Sequence, residues 1–418
     1  MKISERSKKL ILFFTKNKHI NEVNQTRKTE SILKELYQDI FAAHKYLMQL
    51  KSKKTPYFSF LIKKVTHAAQ ISRPQSFNSK SFPAMIRNHI DHLTASELTY
   101  SFSLFKREIK IIFIVEDPHV ELHLETYHKY IDSMIMWLYI LNEYSSKSCS
   151  NTLIVYLYFT SLEKKLPASN ISILDEMNVN TAFTTTCPRD SEIVVYRKEE
   201  WFKVFIHETF HNFALDFSDM NNDTAHKCIL SIFKVNSDVN LYESYTEFWA
   251  EIMNALFCSF FSIKDKSNVD DFLDHSEFFI NFERTYSFFQ MVKTLKFMGL
   301  TYTDLYSPSQ NSDILRENLY KEKTNVLSYY VIKCVLMNNY QGFLLWCKSN
   351  NFSLLQFKKT ISSQKEYCKF IEKNYKINTM LAGVNETSVF LHSLERKNKK
   401  KNYNYVLSNL RMSICEMG

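Results

Sequence analysis

His207, Glu208, Thr209, Phe210 and His211 form an H-E-x-x-H pentad within the run 196–215, YRKEEWFKVFIHETFHNFAL. On a helix, two histidines four residues apart stand one turn from each other on the same face. Both imidazoles then reach one metal ion. Glu208, next to the first histidine, is placed to take a proton from a metal-bound water. A catalytic metal of this type uses three protein ligands and leaves one position open. The third is sought downstream, where Glu243, Glu247 and Glu251 recur at i, i+4 and i+8 within 242–261. A helix would align them as one stripe, and like charges so placed repel by roughly 0.2–0.5 kcal/mol per pair. Flanked by Tyr245, Phe248, Trp249 and Phe257, the stripe makes more sense beside a cation than as a solubilising face. Two registers are open. In one, Glu247 is the ligand and Glu251 holds a histidine's second nitrogen; in the other, Glu243 is the ligand and Glu247 takes that outer role. An oxyanion donor is expected too, with Tyr242, Tyr245, Tyr329 and Tyr330 as candidates.

The elements that must position these groups are legible around them. Residues 181–186 (TAFTTT) and 192–196 (EIVVY), separated by Cys187-Pro188-Arg189-Asp190, read as an antiparallel hairpin that leads into the pentad helix. Such a hairpin sets an edge strand beside the metal, where a peptide can be held by strand addition. Upstream, 100–104 alternates, 109–115 is rich in β-branched residues and 152–160 (TLIVYLYFT) is strand-like, with a helix over 117–142 between them. Downstream, helices are expected over 225–233, 242–261, 270–297, 325–337 and 344–375. Residues 1–95 read as a helical region, with a helix over 31–50 capped by Ser31. The histidine pairs His89/His92 and His119/His123 lack a suitable glutamate and read as structural. The expected fold class is α+β and zincin-like: a small mixed sheet with an antiparallel edge hairpin packed on an active-site helix, then a mostly helical C-terminal part. The expected division is 1–95, 96–261 and 262–418.

Composition narrows the alternatives. Only four glycines occur in 418 residues, which leaves Gly-rich phosphate loops almost nothing to stand on. The net charge of +9 is dispersed, and its one cluster, 396–401, reads as a solvated linker, so nucleic acid is not an expected partner. Eight cysteines without a C-x-x-C pair favour a reducing compartment, with Cys187 as a loop residue. No secretory signal is evident, and the longest apolar-rich segment, 134–141, is far below a membrane span. The chain thus reads as soluble and intracellular.

H-E-T-F-H followed by a helix with E-x-x-x-E resembles the gluzincin branch of zincin metallopeptidases. Glu247-Phe248-Trp249-Ala250-Glu251 is similar to the third-ligand segment, E-F-F-A-E, of the anthrax lethal factor family. Glu243-Ser244-Tyr245-Thr246-Glu247 resembles the E-x-x-T-E of other gluzincin-like proteins, which supports the other register. More broadly, 151–261 resembles putative metallopeptidases of large eukaryotic DNA viruses. The resemblance implies Zn2+ held by His207, His211 and Glu247 or Glu243, a water activated by Glu208, and a polypeptide substrate. It places the chain in host cytoplasm or a virion. The glycine and third histidine of metzincins are absent. A zincin-fold virion or host-factor binding protein without peptidase activity is the alternative, and a zinc hydrolase of non-peptide amides is a further one.

Overall fold

The computed structural model describes residues 2–418, the side chains of Lys399 and Lys400 excepted, so part of the basic cluster 396–401 lies outside the described residues. The architecture is mixed α+β. Six strands, β1 (Ser59–Lys64), β2 (Ser96–Leu104), β3 (Arg107–Val115), β4 (Thr152–Phe159), β5 (Ala182–Thr184) and β6 (Asp190–Val195), form one open sheet in the order β1-β2-β3-β4-β6-β5. The central pairs β3/β4 and β4/β6 are parallel. The flanking pairs β1/β2, β2/β3 and β5/β6 are antiparallel. β3 and β4 alternate poorly because both faces of the sheet are covered. Ile112, Ile114, Tyr156, Tyr158 and Val194 meet Phe77, Phe82, Ile86 and Ile90 on one side. Ile111, Phe113, Val155, Leu157 and Ile193 face the main helical core on the other.

Two expectations about the first 95 residues change. They supply β1, whose Phe60 and Leu61 stay exposed, so it carries little of the buried alternation that marks a strand. The long helix there runs Arg27–Ser52 and starts earlier than expected, because the Thr26 side chain accepts from Thr29 N and caps it. Its buried face, Ile32, Leu33, Leu36 and Ile40, joins the same core as the pentad helix and the helices after it. Segments 1–95, 96–261 and 262–418 therefore share one hydrophobic core.

The expectation of eight reduced cysteines is also corrected. Cys149 and Cys187 form a disulfide, and the other six are free. The two lie 38 residues apart in sequence, but parallel pairing sets Thr152 opposite Asp190 and brings the flanks of β4 and β6 together. Cys187 N also donates to Asn212 O at 3.2 Å, which ties the hairpin to the end of the pentad helix. No helix among the described residues is long and apolar enough to cross a membrane.

Candidate metal centre

The pentad lies on the helix Trp201–Asn212, every residue of which is buried. The helix begins after Glu200, which adopts a left-handed backbone (φ 58°). Glu200 Oε1 accepts from Met412 N at 3.0 Å and Ser413 N at 2.6 Å, fixing the start of the helix. Thr209 accepts from Trp137 Nε1 at 2.7 Å, which pins the helix to its neighbour Leu124–Tyr144. At the other end Ala214 takes φ 56°, and Leu215 N donates to Phe210 O at 2.8 Å. This left-handed closure turns the chain back on itself. It delivers Asp216 to the His211 ring, where it bonds Nδ1.

The glutamate stripe lies on the helix Leu241–Ser262, packed against the pentad helix. His207, His211 and Glu243 are brought together as a group able to hold a metal ion. Their facing atoms form a nearly equilateral triangle. His207 Nε2 lies 3.2 Å from His211 Nε2 and 3.2 Å from Glu243 Oε2, and His211 Nε2 lies 3.3 Å from that oxygen. Tetrahedral coordination at metal–ligand distances near 2.0–2.1 Å separates ligand atoms by roughly 3.3 Å, so the triangle fits a metal. The hydrogen bonds point the same way. His207 Nδ1 meets Glu247 Oε2 at 2.9 Å, and His211 Nδ1 meets Asp216. Carboxylates only accept, so the Nδ1 atoms carry protons, which leaves the Nε2 atoms as the ones that face Glu243. Around a cation all three atoms would present lone pairs to it; without one, a protonated ring donates to Glu243 instead.

Of the two registers, the second matches this geometry. Glu247 is not in the triangle: it orients His207 and accepts from Lys203 Nζ at 2.6 Å. Glu251 does not touch a histidine: it pairs with Lys333 Nζ at 2.6 Å, deep in the core. The reason is the offset along the helix axis. One helical turn separates these glutamates, and only Glu243 is level with both imidazoles. Thr246, the T of E-x-x-T-E, donates to Asp216 Oδ2 at 3.0 Å, so this short motif supplies one corner of the triangle, a support for Asp216 and a support for His207. Asp216 is the site residue that sequence reasoning missed. Its signal would have been an acid just past a helix end that reverses.

Burial works against charge on both histidines, but the surrounding carboxylates more than offset it and hold both above their usual range. Burial also opposes ionisation of Glu243 and Glu247, yet His211 and His207 at the first, and Lys203 and His207 at the second, hold both well below the usual carboxylate range. Glu208 differs: burial raises it, with the two histidines pulling the other way, and no hydrogen-bond partner engages it among the described residues. It borders a cleft of about 340 Å³ with Thr184, Glu243, Lys323 and Tyr329.

The tyrosines sort by their hydroxyls. Tyr329 donates to Glu243 Oε2 at 3.0 Å, from a π-helical turn, Leu327–Ile332. Irregular turns of this kind concentrate at functional sites. Burial, with Glu243 and Glu208 close by, keeps its hydroxyl well above the usual range and therefore protonated. Tyr245 and Tyr330 spend their hydroxyls on Leu355 O and Leu410 O, away from the triangle. Tyr242 packs edge-on against the His211 ring, with centroids 5.7 Å apart. Elsewhere, His89 meets Glu116 at 2.7 Å, and His123 lies 3.7 Å from Asp117. Neither belongs to a metal-sized cluster among the described residues. Compared with protein-family profiles, curated proteins and solved structures, the chain finds no match in any of the three.

Proposed function

We propose that this chain is a zinc-dependent metallopeptidase with a gluzincin-like site, acting on polypeptides. The observation that carries the reading is the His207–His211–Glu243 triangle, its edges those of a tetrahedral site, with the uncommitted Glu208 beside it. Zinc held there would polarise a scissile carbonyl and acidify the attacking water. His207 and His211 would hold it through Nε2, with Glu247 and Asp216 fixing the ring orientations at Nδ1. Glu208 accepts the proton of the attacking water on its carboxylate and returns it to the leaving amine, a role that its raised basicity suits. Tyr329, protonated and beside the triangle, would turn its single hydroxyl proton from Glu243 to the developing oxyanion.

The sheet supports a peptide substrate. β5 pairs with β6 on one side only, which leaves its other edge open for an added strand. Asn212 Nδ2 donates to Thr184 Oγ1 at 3.0 Å and Thr185 O at 3.3 Å, fixing this strand relative to the pentad.

A peptide-library digest followed by mass spectrometry tests the proposal. Cleavage that stops on chelation, returns with zinc and is lost in Glu208→Gln is the expected result. Zinc binding without cleavage of any peptide would overturn the peptidase reading and leave a binding protein. Turnover confined to non-peptide amides would redirect it to another hydrolase class.

A further inference from the structure

Beyond the His207–His211–Glu243 triangle, two free cysteines that are remote in sequence meet. Cys228 stands on the helix Asp223–Ile232 and Cys368 on the helix Ile361–Asn374, and these helices pack against each other. Cys368 Sγ lies 3.9 Å from Ala225 O, and Ala225 is one turn ahead of Cys228 on the same face of its helix. The two thiols hydrogen-bond across this contact.

Their surroundings give the two thiols different roles. Cys368 is 1% exposed, whereas Cys228 is half-buried, the one free cysteine among the described residues that is not buried. The hydrogen bond from Cys368 lowers the Cys228 thiol from its ordinary 9.0 to about 7, outweighing burial and the nearby Glu372. The same contact, together with burial, pushes the Cys368 thiol up, so Cys368 keeps its proton. A half-exposed thiolate beside a resolving thiol is the arrangement that peroxides oxidise selectively. The helix pair also reaches the support of His211, because the helix Asp223–Ile232 follows the loop 216–222 that begins at Asp216. Gln364 Nε2 donates to Asn221 O at 3.2 Å and Asn222 Oδ1 at 3.0 Å, and Lys359 Nζ bonds Asp219 at 2.7 Å. These polar contacts brace the loop from the Cys368 side.

We propose that Cys228 and Cys368 are a redox modification site, which a peroxide converts to a second disulfide that fastens the helix Ile361–Asn374 to the helix Asp223–Ile232. The Cys228 thiolate attacks one peroxide oxygen, so that an S–O bond forms, the O–O bond breaks and hydroxide leaves to become water. Cys368 sulfur then attacks the sulfenic acid sulfur and gives up its proton. The S–S bond forms, the S–O bond breaks and a second water leaves. Two thiols lose two electrons in all, and one hydrogen peroxide is reduced to two waters. The site needs neither bound metal nor peptidase activity.

Treatment of the full chain with hydrogen peroxide, followed by thiol counting in denaturant and peptide mapping, tests the proposal. Two of the six free thiols are expected to disappear, with a Cys228–Cys368 linked peptide in the map. Cys228→Ser, a change at the half-buried position, should lose none of its remaining thiols under the same treatment. Cys368→Ala should stop at the sulfenic acid, which dimedone labels at Cys228. The treated wild type should also unfold at a higher urea concentration than the untreated chain, with no such shift in Cys228→Ser. A wild type that keeps all six thiols, or one that takes dimedone at Cys228 while Cys368 stays free, would overturn the site. A linked pair with an unchanged urea midpoint would overturn the fastening.

Discussion

Glu243, Thr246 and Glu247 divide the work of one helical turn between the His207–His211–Glu243 triangle and its supports. If Glu247 and Asp216 only orient the imidazoles, Glu247→Gln and Asp216→Asn keep the site but weaken it, by about 10–100-fold in zinc affinity. A competitive chelator titration measures this, and full loss of binding in Glu247→Gln would instead make Glu247 a direct ligand. The pentad and the stripe were legible because their residues repeat at the helical period. The choice of Glu243 over Glu247 was not, because successive turns differ by about 5.4 Å along the axis and only packing sets that offset. Asp216 was hidden for another reason. Its approach depends on Ala214 adopting a left-handed backbone, a conformation that glycine or asparagine would have advertised and alanine does not.

At the scale of elements, the hairpin, the pentad helix and the glutamate helix stand close to where alternation and helical spacing put them. The segment before Tyr329 was less legible, since π-helical turns carry no period of their own. Glu322 anchors it, accepting from Tyr320 OH at 3.0 Å and Leu327 N at 3.2 Å, with Ser237 as a third donor. Burial pushes the Glu322 carboxyl up to about 7 from its ordinary 4.5, against the pull of those hydrogen bonds. The folded state therefore keeps a proton that the unfolded chain releases. Stability from this group is complete below about pH 4.5 and is lost as pH rises through about 7, by roughly 3 kcal/mol in all. Urea unfolding between about pH 5 and 8 should show this decline in the wild type and a flatter profile in Glu322→Gln. Parallel profiles would assign the pH dependence elsewhere.

In the whole molecule, the segment 409–416 runs through the interior and joins regions that are remote in sequence. Glu283 accepts from Ser413 Oγ at 2.6 Å, Ile414 N at 3.1 Å and Cys415 N at 2.9 Å. Lys333 Nζ and Asn254 Nδ2 donate to Met412 O and Cys415 O. Nothing in NLRMSICE has a helical or strand period, so its burial could not be read from the sequence. Ser413→Ala leaves a buried carboxylate short of one donor and should cost about 1–3 kcal/mol, read from the urea midpoint. An unchanged midpoint would mean that the segment carries little of the fold's stability. These contacts also reach Glu200 and so the start of the pentad helix, which links the interior thread to the His207–His211–Glu243 triangle. Elemental analysis of purified wild type and Glu243→Gln tests that triangle most directly. About one zinc per chain in the wild type, absent from Glu243→Gln, is the predicted result. A wild-type chain without bound metal, or a Glu243→Gln chain that retains zinc as the wild type does, would contradict it.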